Sequence, residues 1–157
     1  MRIGVISDTH GHFDPRIEEY FAGVDAIWHA GDVGQLQVLT ELEQIAPVTA
    51  VQGNNDWDLP LRETELVEAK GLRFLLQHIV NPVCPGQAIL EKIVRGEIQG
   101  VVFGHTHRPY EGWHHGVLFL NPGYGGRPRF HQPRSVALLQ VADGNCRVEH
   151  LWLDQRI

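Results

Sequence analysis

Asp8-Thr9-His10, Gly31-Asp32, Gly53-Asn54-Asn55-Asp56, His78 and Gly104-His105-Thr106-His107 are the segments whose side chains could do chemistry. Carboxylate, imidazole and carboxamide groups are donors for divalent metal ions. Each segment directly follows a short apolar run, at residues 3–6, 26–29, 48–51, 72–76 and 101–103. Taken singly these signals are weak. Asp-x-His and His-x-His pairs arise by chance, a lone histidine such as His78 is more often a satisfied core residue, and Gly-Asn-Asn-Asp is by itself a turn sequence. The joint order carries the argument. In open α/β sheets ligands bind beyond the carboxyl ends of the strands, so five strand exits could converge on one crevice. Gly31, Gly53 and Gly104 suit the tight turns and close backbone approach this requires.

Such exits need a chain that alternates strands with helices. Residues 3–6 read as a buried strand, followed by a loop and a helix starting near Pro15, which suits a first helical turn. Residues 26–28 form a second apolar run. Leu36, Leu39, Leu42 and Ile45 then recur at helical spacing until Pro47 stops them. Residues 48–51 make a third strand, and residues 66–67 and 72–76 a hairpin around Lys70-Gly71. Ile89, Leu90, Ile93 and Val94 predict a helix ended by Gly96, and residues 100–103 one more buried strand. Beyond it, residues 117–120, 135–141 and 147–153 read as strands with turns at His115-Gly116 and Asp143-Gly144, and no helix intervenes. The expectation is two sheets packed face to face with helices outside, in one domain over residues 1–157.

Composition narrows the function. The 157 residues are 43% hydrophobic and 20% charged, as in ordinary globular proteins. The formal net charge of −6, from 19 acidic and 13 basic residues, argues against a broad grip on nucleic acid or an anionic membrane. A small phosphorylated substrate stays compatible, because a bound metal inverts the local field. Cys84 and Cys146 form no Cys-x-x-Cys pair, which excludes a disulfide scaffold or zinc ribbon. No run approaches the ~20 apolar residues that cross a bilayer, and no leader pattern precedes the first strand. A cytoplasmic protein is the expectation, with homo-oligomerisation open.

The ordered segments above, with Asn121-Pro122-Gly123 near the end, resemble the calcineurin-like metallophosphoesterases over essentially the whole chain. The similarity is strongest to their small bacterial and archaeal phosphodiesterase branch. It implies an α/β (α+β) fold, a four-layer αββα sandwich of two mixed sheets flanked by helices. It also implies a centre of two divalent transition-metal ions. Carried over, Asp8, His10, Asp32 and His107 would hold one ion. Asp32 as a bridge, with Asn54, His78 and His105, would hold the other. Asp32, Asn54 and His105 would also serve catalysis. Such donors suit Mn, Ni, Fe, Co or Zn better than Ca. Two ions ~3.5–4 Å apart would share a hydroxide able to attack the phosphorus of a small phosphate ester in line. A phosphomonoesterase or small nuclease falls within the same class. The alternative is a protein-binding scaffold of the same fold with degraded ligands, but here a suitable residue type fills every ligand role.

Three positions depart from the resemblance. Asn55 stands where many relatives have a histidine able to protonate the leaving group. Ile79 replaces a usual glycine after His78, and Tyr124 a usual small residue. Other residues carry softer expectations. Asp56 would orient an imidazole or cap a turn, and His29 would be buried and hydrogen-bonded. His12 would reach substrate phosphate or face solvent. Trp57 would pack in the core rather than stack on a leaving group. Arg127, Arg129 and Arg134 would lie on a solvated loop, with a second phosphate contact as their functional reading.

Overall fold

The computed structural model describes residues 1–154. In chain order the elements are β1 (Arg2–Ile6), α1 (Arg16–Tyr20), β2 (Ala26–His29), α2 (Leu36–Glu43), β3 (Val48–Ala50), β4 (Thr64–Ala69) and β5 (Leu72–Gln77). They continue with α3 (Gln87–Val94), β6 (Gly100–Val102), β7 (Tyr110–His114), β8 (Val117–Asn121), β9 (Ser135–Ala142) and β10 (Asn145–Trp152). One sheet has the order β10-β9-β1-β2-β3 and the other β4-β5-β6-β8-β7. In the first, β1, β2 and β3 are parallel and the β9–β10 hairpin is added antiparallel to β1. In the second, β5, β6 and β8 are parallel, with β4 and β7 as antiparallel edges.

The layers follow from side-chain alternation. Ile3 and Val5 of β1, Phe74 and Leu76 of β5, and Leu118 and Leu120 of β8 meet in a core built from both sheets. Ile6, Ile27, Val136 and Leu138 point the other way, onto Ile17 and Phe21 of the α1 region and Val38 and Leu42 of α2. On the far side Leu75, Val101 and Phe119 pack with Ile89 of α3. The result is the expected sandwich of two mixed sheets flanked by helices. Strands covered on both faces need apolar residues at successive positions, which is why they read as unbroken hydrophobic runs.

Three hairpin turns have the chemistry their geometry demands. Lys70-Gly71, His115-Gly116 and Asp143-Gly144 all have positive φ at both positions, the pattern of a type I′ turn with glycine second. The sequence did not point to β7, the partner strand before His115. Its Tyr-Glu-Gly-Trp-His run lies on an edge and is only half-buried on alternate residues, so it lacks the hydrophobic density of a central strand. In α2 the buried stripe centres on Val38 and Leu42, while Leu36 is half exposed at 49%. No helix among the described residues is long and apolar enough to cross a membrane.

Arg134 is the main structural correction. Instead of lying on a solvated loop it is buried, at 2% exposure. Its guanidinium donates to Asp14 Oδ2 (2.8 Å), to Gly126 O (3.2 Å), and through Nε and Nη2 to Asp154 Oδ1 (2.8 and 2.7 Å). Asp14 also accepts from Arg16 Nη2 at 2.6 Å. The side-chain hydrogen bond from Arg16 comes first among the causes that hold the Asp14 carboxyl well below the usual carboxylate range. That stability is present above the unfolded value near 4 and lost as pH falls through the lower folded value. Arg134→Ala would remove the buried guanidinium that joins the two carboxylates, but Asp14 keeps Arg16 and Asp154 is partly exposed, so it should cost about 1–3 kcal/mol. Urea unfolding would measure it, and a loss below about 1 kcal/mol would contradict the role assigned to the network.

Candidate metal centre

Backbone hydrogen bonds extend the ladders beyond the strand ends and tie the donor loops together. Past β1, Asp8 N, His10 N and Gly11 N donate to the carbonyls of Gly31, Asp32 and Val33 beyond β2, at 3.0, 2.9 and 2.7 Å. In the second sheet Gly104 N donates to His78 O at 3.0 Å. Two contacts then join the sheets: His105 N donates to Asp8 Oδ2 (3.1 Å), and His78 Nδ1 to Ala30 O (2.7 Å). One crevice thus receives Asp8, His10, Asp32 and Asn54 from the first sheet and His78, His105 and His107 from the second.

Asp8, His10 and His107 form one compact group of donors, and Asp8, Asp32 and His78 a second. These are two distinct potential metal-binding clusters. Asp8 Oδ1 lies 3.2 Å from His107 Nε2 and 3.9 Å from His78 Nε2. Asp32 Oδ2 lies 3.5 Å from His78 Nε2 and 3.8 Å from His10 Nε2. Both carboxylates therefore face both sides of the crevice. Asn54 and His105 sit outside the compact groups, exposed at the mouth, where Asn54 Oδ1 and His105 Nδ1 hydrogen-bond at 3.0 Å. The His105 ring stands 5.4 Å, centroid to centroid, from that of His78.

The donor set suits a cation. Among the described residues the buried side-chain atoms without a hydrogen-bond partner are Asp8 Oδ1, His78 Nε2 and Tyr124 Oη, and the first two point into this crevice. A buried polar atom left unpaired costs about 1–3 kcal/mol, which a bound ion would offset. Because His78 Nδ1–H is spent on Ala30 O, the lone pair is fixed on Nε2, as a ligand requires. Burial favours the neutral acid of Asp32, yet the adjacent His78 imidazole and hydrogen bonds from Asn55 outweigh it and hold the carboxyl well below its usual range. Burial lowers the proton affinity of His10, although Asp32 and Asp8 oppose this. The crevice thus presents two buried carboxylates beside the imidazoles of His10, His78 and His107.

Backbone strain accompanies the donors. Asp8, His10, Asp32, His105 and His107 all have φ between 47° and 69°, a region few non-glycine residues adopt. Glycines make the close packing feasible. A Cβ on Gly104 would run into Ser7 Oγ and the Asp8 carboxylate, and one on Gly53 into the Asp32 backbone and carboxylate. Disturbing the support of a ligand typically lowers metal affinity about 10- to 100-fold. We expect Gly104→Ala and Gly53→Ala each to do so, as read by calorimetric metal titration; wild-type affinity in both would refute this view of the loops.

Several supporting residues were not legible beforehand. Ser7 Oγ donates to Asp8 Oδ2 at 2.6 Å, and Gln132 Nε2 to His107 O at 2.9 Å. Asn121 Nδ2 donates to Gly104 O and Thr106 Oγ1, at 2.9 and 3.1 Å, which gives the Asn-Pro-Gly segment a role in holding the His105–His107 loop. Ser7 adjoins a donor, which is a usable signal; the Gln132 contact joins loops distant in sequence.

The softer expectations divide. Asp56 caps loops, accepting from the backbone N–H of Val33, Gly34 and Gly53 at 3.0, 2.8 and 2.9 Å, and orients no imidazole. His29 is fully buried, with Nε2 on Thr9 Oγ1 and Nδ1 accepting from Gly31 N; burial pushes its pKa down to about 4. His12 is half-buried. Trp57 is 82% exposed, not packed in the core, as is Phe130 at 91%, which sequence reasoning passed over. Arg127 and Arg129 are exposed as expected, Arg129 lying 5.3 Å from the centroid of the Tyr124 ring. Tyr124 is buried and stacks on His107 at 4.7 Å, so it backs that ring instead of lining an open pocket. Asn55, exposed at the crevice, donates its backbone N–H to Asp32 Oδ1 (2.9 Å) and its Nδ2 to Asp32 Oδ2 (2.7 Å).

Comparison with known proteins agrees with this geometry. Residues 1–144 match the calcineurin-like phosphoesterase superfamily domain. A probable metallophosphoesterase of Methanothermobacter thermautotrophicus is 35% identical over 149 residues, covering 90% of this chain and 86% of that protein. A phosphodiesterase of Methanocaldococcus jannaschii is 31% identical over 144 residues, covering 78% and 83%. The crystal structure of Vps29 from Entamoeba histolytica complexed with zinc superposes with a TM-score of 0.72, covering 97% of this chain and 99% of that one. At 22% identity that likeness shows the fold alone.

Proposed function

Because this chain belongs to the calcineurin-like phosphoesterase superfamily and is a metal-dependent phosphoesterase by kinship and donor clusters, we propose that it is a two-metal phosphodiesterase. The observation that carries the two-metal reading is the facing pair of unpartnered buried atoms, Asp8 Oδ1 and His78 Nε2, 3.9 Å apart in a crevice flanked by a second carboxylate. In this reading Asp8, His10, Asp32 and His107 hold one ion, and Asp32, Asn54, His78 and His105 the other. Mn, Ni, Fe, Co and Zn all suit these donors. Bound there, such ions supply Lewis acidity toward phosphoryl oxygens and lower the proton affinity of water.

The chain's own residues do the positioning. Asn55 fixes both oxygens of Asp32, and Ser7 with His105 N–H fixes Oδ2 of Asp8, so each carboxylate keeps its orientation. Asn54 and His105 stand exposed at the mouth, where an incoming ester meets the centre; with Asp32 they are the residues we assign to catalysis. The phosphodiesterase name of the Methanocaldococcus relative favours a diester over a monoester. A non-catalytic scaffold has no need of seven intact donors, five of them on strained backbone.

The test is metal content with activity. Gently purified protein should carry close to two transition-metal equivalents and hydrolyse bis(p-nitrophenyl) phosphate. Chelation should abolish turnover, and Mn or Ni should restore it. Hydrolysis that survives thorough chelation would sink the reading.

A further inference from the structure

A cavity of about 280 Å³ adjoins the centre on the side of Asn54 and His78. Its remaining walls are Gln52, Gly53, Glu63, Thr64, Gln77 and Ile79, from the loop after β3, the approach to β4, and the end of β5. The lining side chains are mostly polar. Gln52 Nε2 donates to Asp56 O (3.0 Å) and Gln77 Nε2 to Ile79 O (3.2 Å). These bonds engage one N–H of each carboxamide and leave each Oε1 available as an acceptor and the second N–H as a donor. Glu63 adds a carboxylate, Thr64 a hydroxyl, and no lysine or arginine lines the space. Ile79, 52% exposed, provides an apolar wall.

A wall that pairs hydrogen-bond donors with acceptors and carries a carboxylate but no lysine or arginine discriminates by charge and by hydrogen-bonding capacity. A second phosphate placed at the end of the cavity formed by Glu63 would meet that carboxylate with no lysine or arginine in the lining. A group that bears both N–H or O–H donors and carbonyl acceptors, as a sugar with a base edge does, would satisfy these carboxamides, and a flat ring could cover Ile79. The volume lies just below the ~300–1,000 Å³ of drug-sized pockets, which suits one compact sugar-and-ring unit and not an extended chain. We infer that this cavity receives an alcohol part of the phosphodiester and selects a nucleoside over a small alkyl alcohol or a nucleoside that carries a second phosphate. The inference rests on the phosphodiesterase reading above and names the substrate class of that site.

Three p-nitrophenyl phosphodiesters test it: the thymidine 5′-ester, the methyl ester, and the thymidine 5′-ester with a 3′-phosphate. In each, a water oxygen forms a bond to phosphorus as the bond to p-nitrophenolate breaks, and one proton is released, so the chemistry is common to all. One or two hydrogen bonds in the cavity correspond to roughly a tenfold preference. We expect kcat/KM for the thymidine ester to exceed each of the others by at least about that factor, mainly through KM. Thr64→Trp and Ile79→Trp, which fill the cavity, should bring the thymidine-to-methyl ratio toward one. The ratio within each protein cancels any general loss of activity. A wild-type ratio near one, a ratio that both variants leave unchanged, or faster turnover of the 3′-phosphorylated ester would overturn the inference. A binding measurement separates this from failure of the catalytic reading. Thymidine titrated into metal-free protein should shift the methyl resonances of Ile79 and Thr64, whereas inorganic phosphate should not. If no ester is hydrolysed by metal-loaded protein, the phosphodiesterase reading fails, and these resonances alone decide the cavity: shifts support its nucleoside selectivity, and none refutes it.

Discussion

Asp32→Ala should lose both metal equivalents and depress diester hydrolysis by roughly 10³-fold or more, at least the scale on which removal of a single electrostatic stabiliser acts. Asp32 Oδ2 stands 3.5 Å from His78 Nε2 and 3.8 Å from His10 Nε2, between imidazoles assigned to different ions. Its carboxylate is also held on both oxygens by Asn55. Asp8→Ala should lose the ion it is assigned to and weaken the other, since Asp8 also lies within the second compact donor group. Asn54→Ala should differ. Its neutral carboxamide lies at the mouth and hydrogen-bonds His105, so its loss should weaken one ion and spare most of the other. Elemental analysis of the three variants, with far-ultraviolet circular dichroism as a folding control, reads the contrast. Asp32→Ala that still holds two equivalents at normal affinity would remove the shared role given to that residue.

The sequence announced the places where the candidate donors leave the strands because the two kinds of residue differ so sharply. Strands such as β1 and β6 are covered on both faces, so apolar residues run unbroken until the chain must turn, and Asp8 and His105 stand just beyond that point. What stayed hidden depends on distant parts of the chain. Arg134 reads as one more charge on a Gly/Pro-rich loop, and only the fold brings Asp14 to it across 120 positions. Trp57 was misjudged because large aromatics are usually well buried, whereas the loop after Gly53 carries this one outward. The positive φ of Asp8, His10, Asp32, His105 and His107 has no local signature either, since glycine is the residue that normally marks such a conformation. The departure at Asn55 was visible as an identity but not as a contact.

The steepest dependence on substrate should come from Asn55. A carboxamide is not a general acid, and here both its backbone N–H and its Nδ2 are already committed to Asp32, at 2.9 and 2.7 Å. A leaving oxygen therefore gains no proton from this position and must depart with its negative charge. General acid catalysis is worth about 10²–10⁴-fold, and its absence matters most for a poor leaving group. Across a series of phosphodiesters that share one retained group, rates should fall steeply as the leaving-group pKa rises, with aryl esters far ahead of alkyl esters. Asn55→His should flatten that slope if its imidazole reaches the leaving oxygen. Asn55→Ala should keep the slope and instead lose metal affinity, because it removes only the hydrogen bond to Asp32 Oδ2. The measurement is kcat/KM for the whole series in the three proteins, at fixed metal and pH, beside calorimetric metal titration. A shallow slope in the unmodified protein would mean that another group, with His10 and His12 the nearest candidates in sequence, already supplies the proton. The role given to Asn55 would then be reduced to holding Asp32 in place.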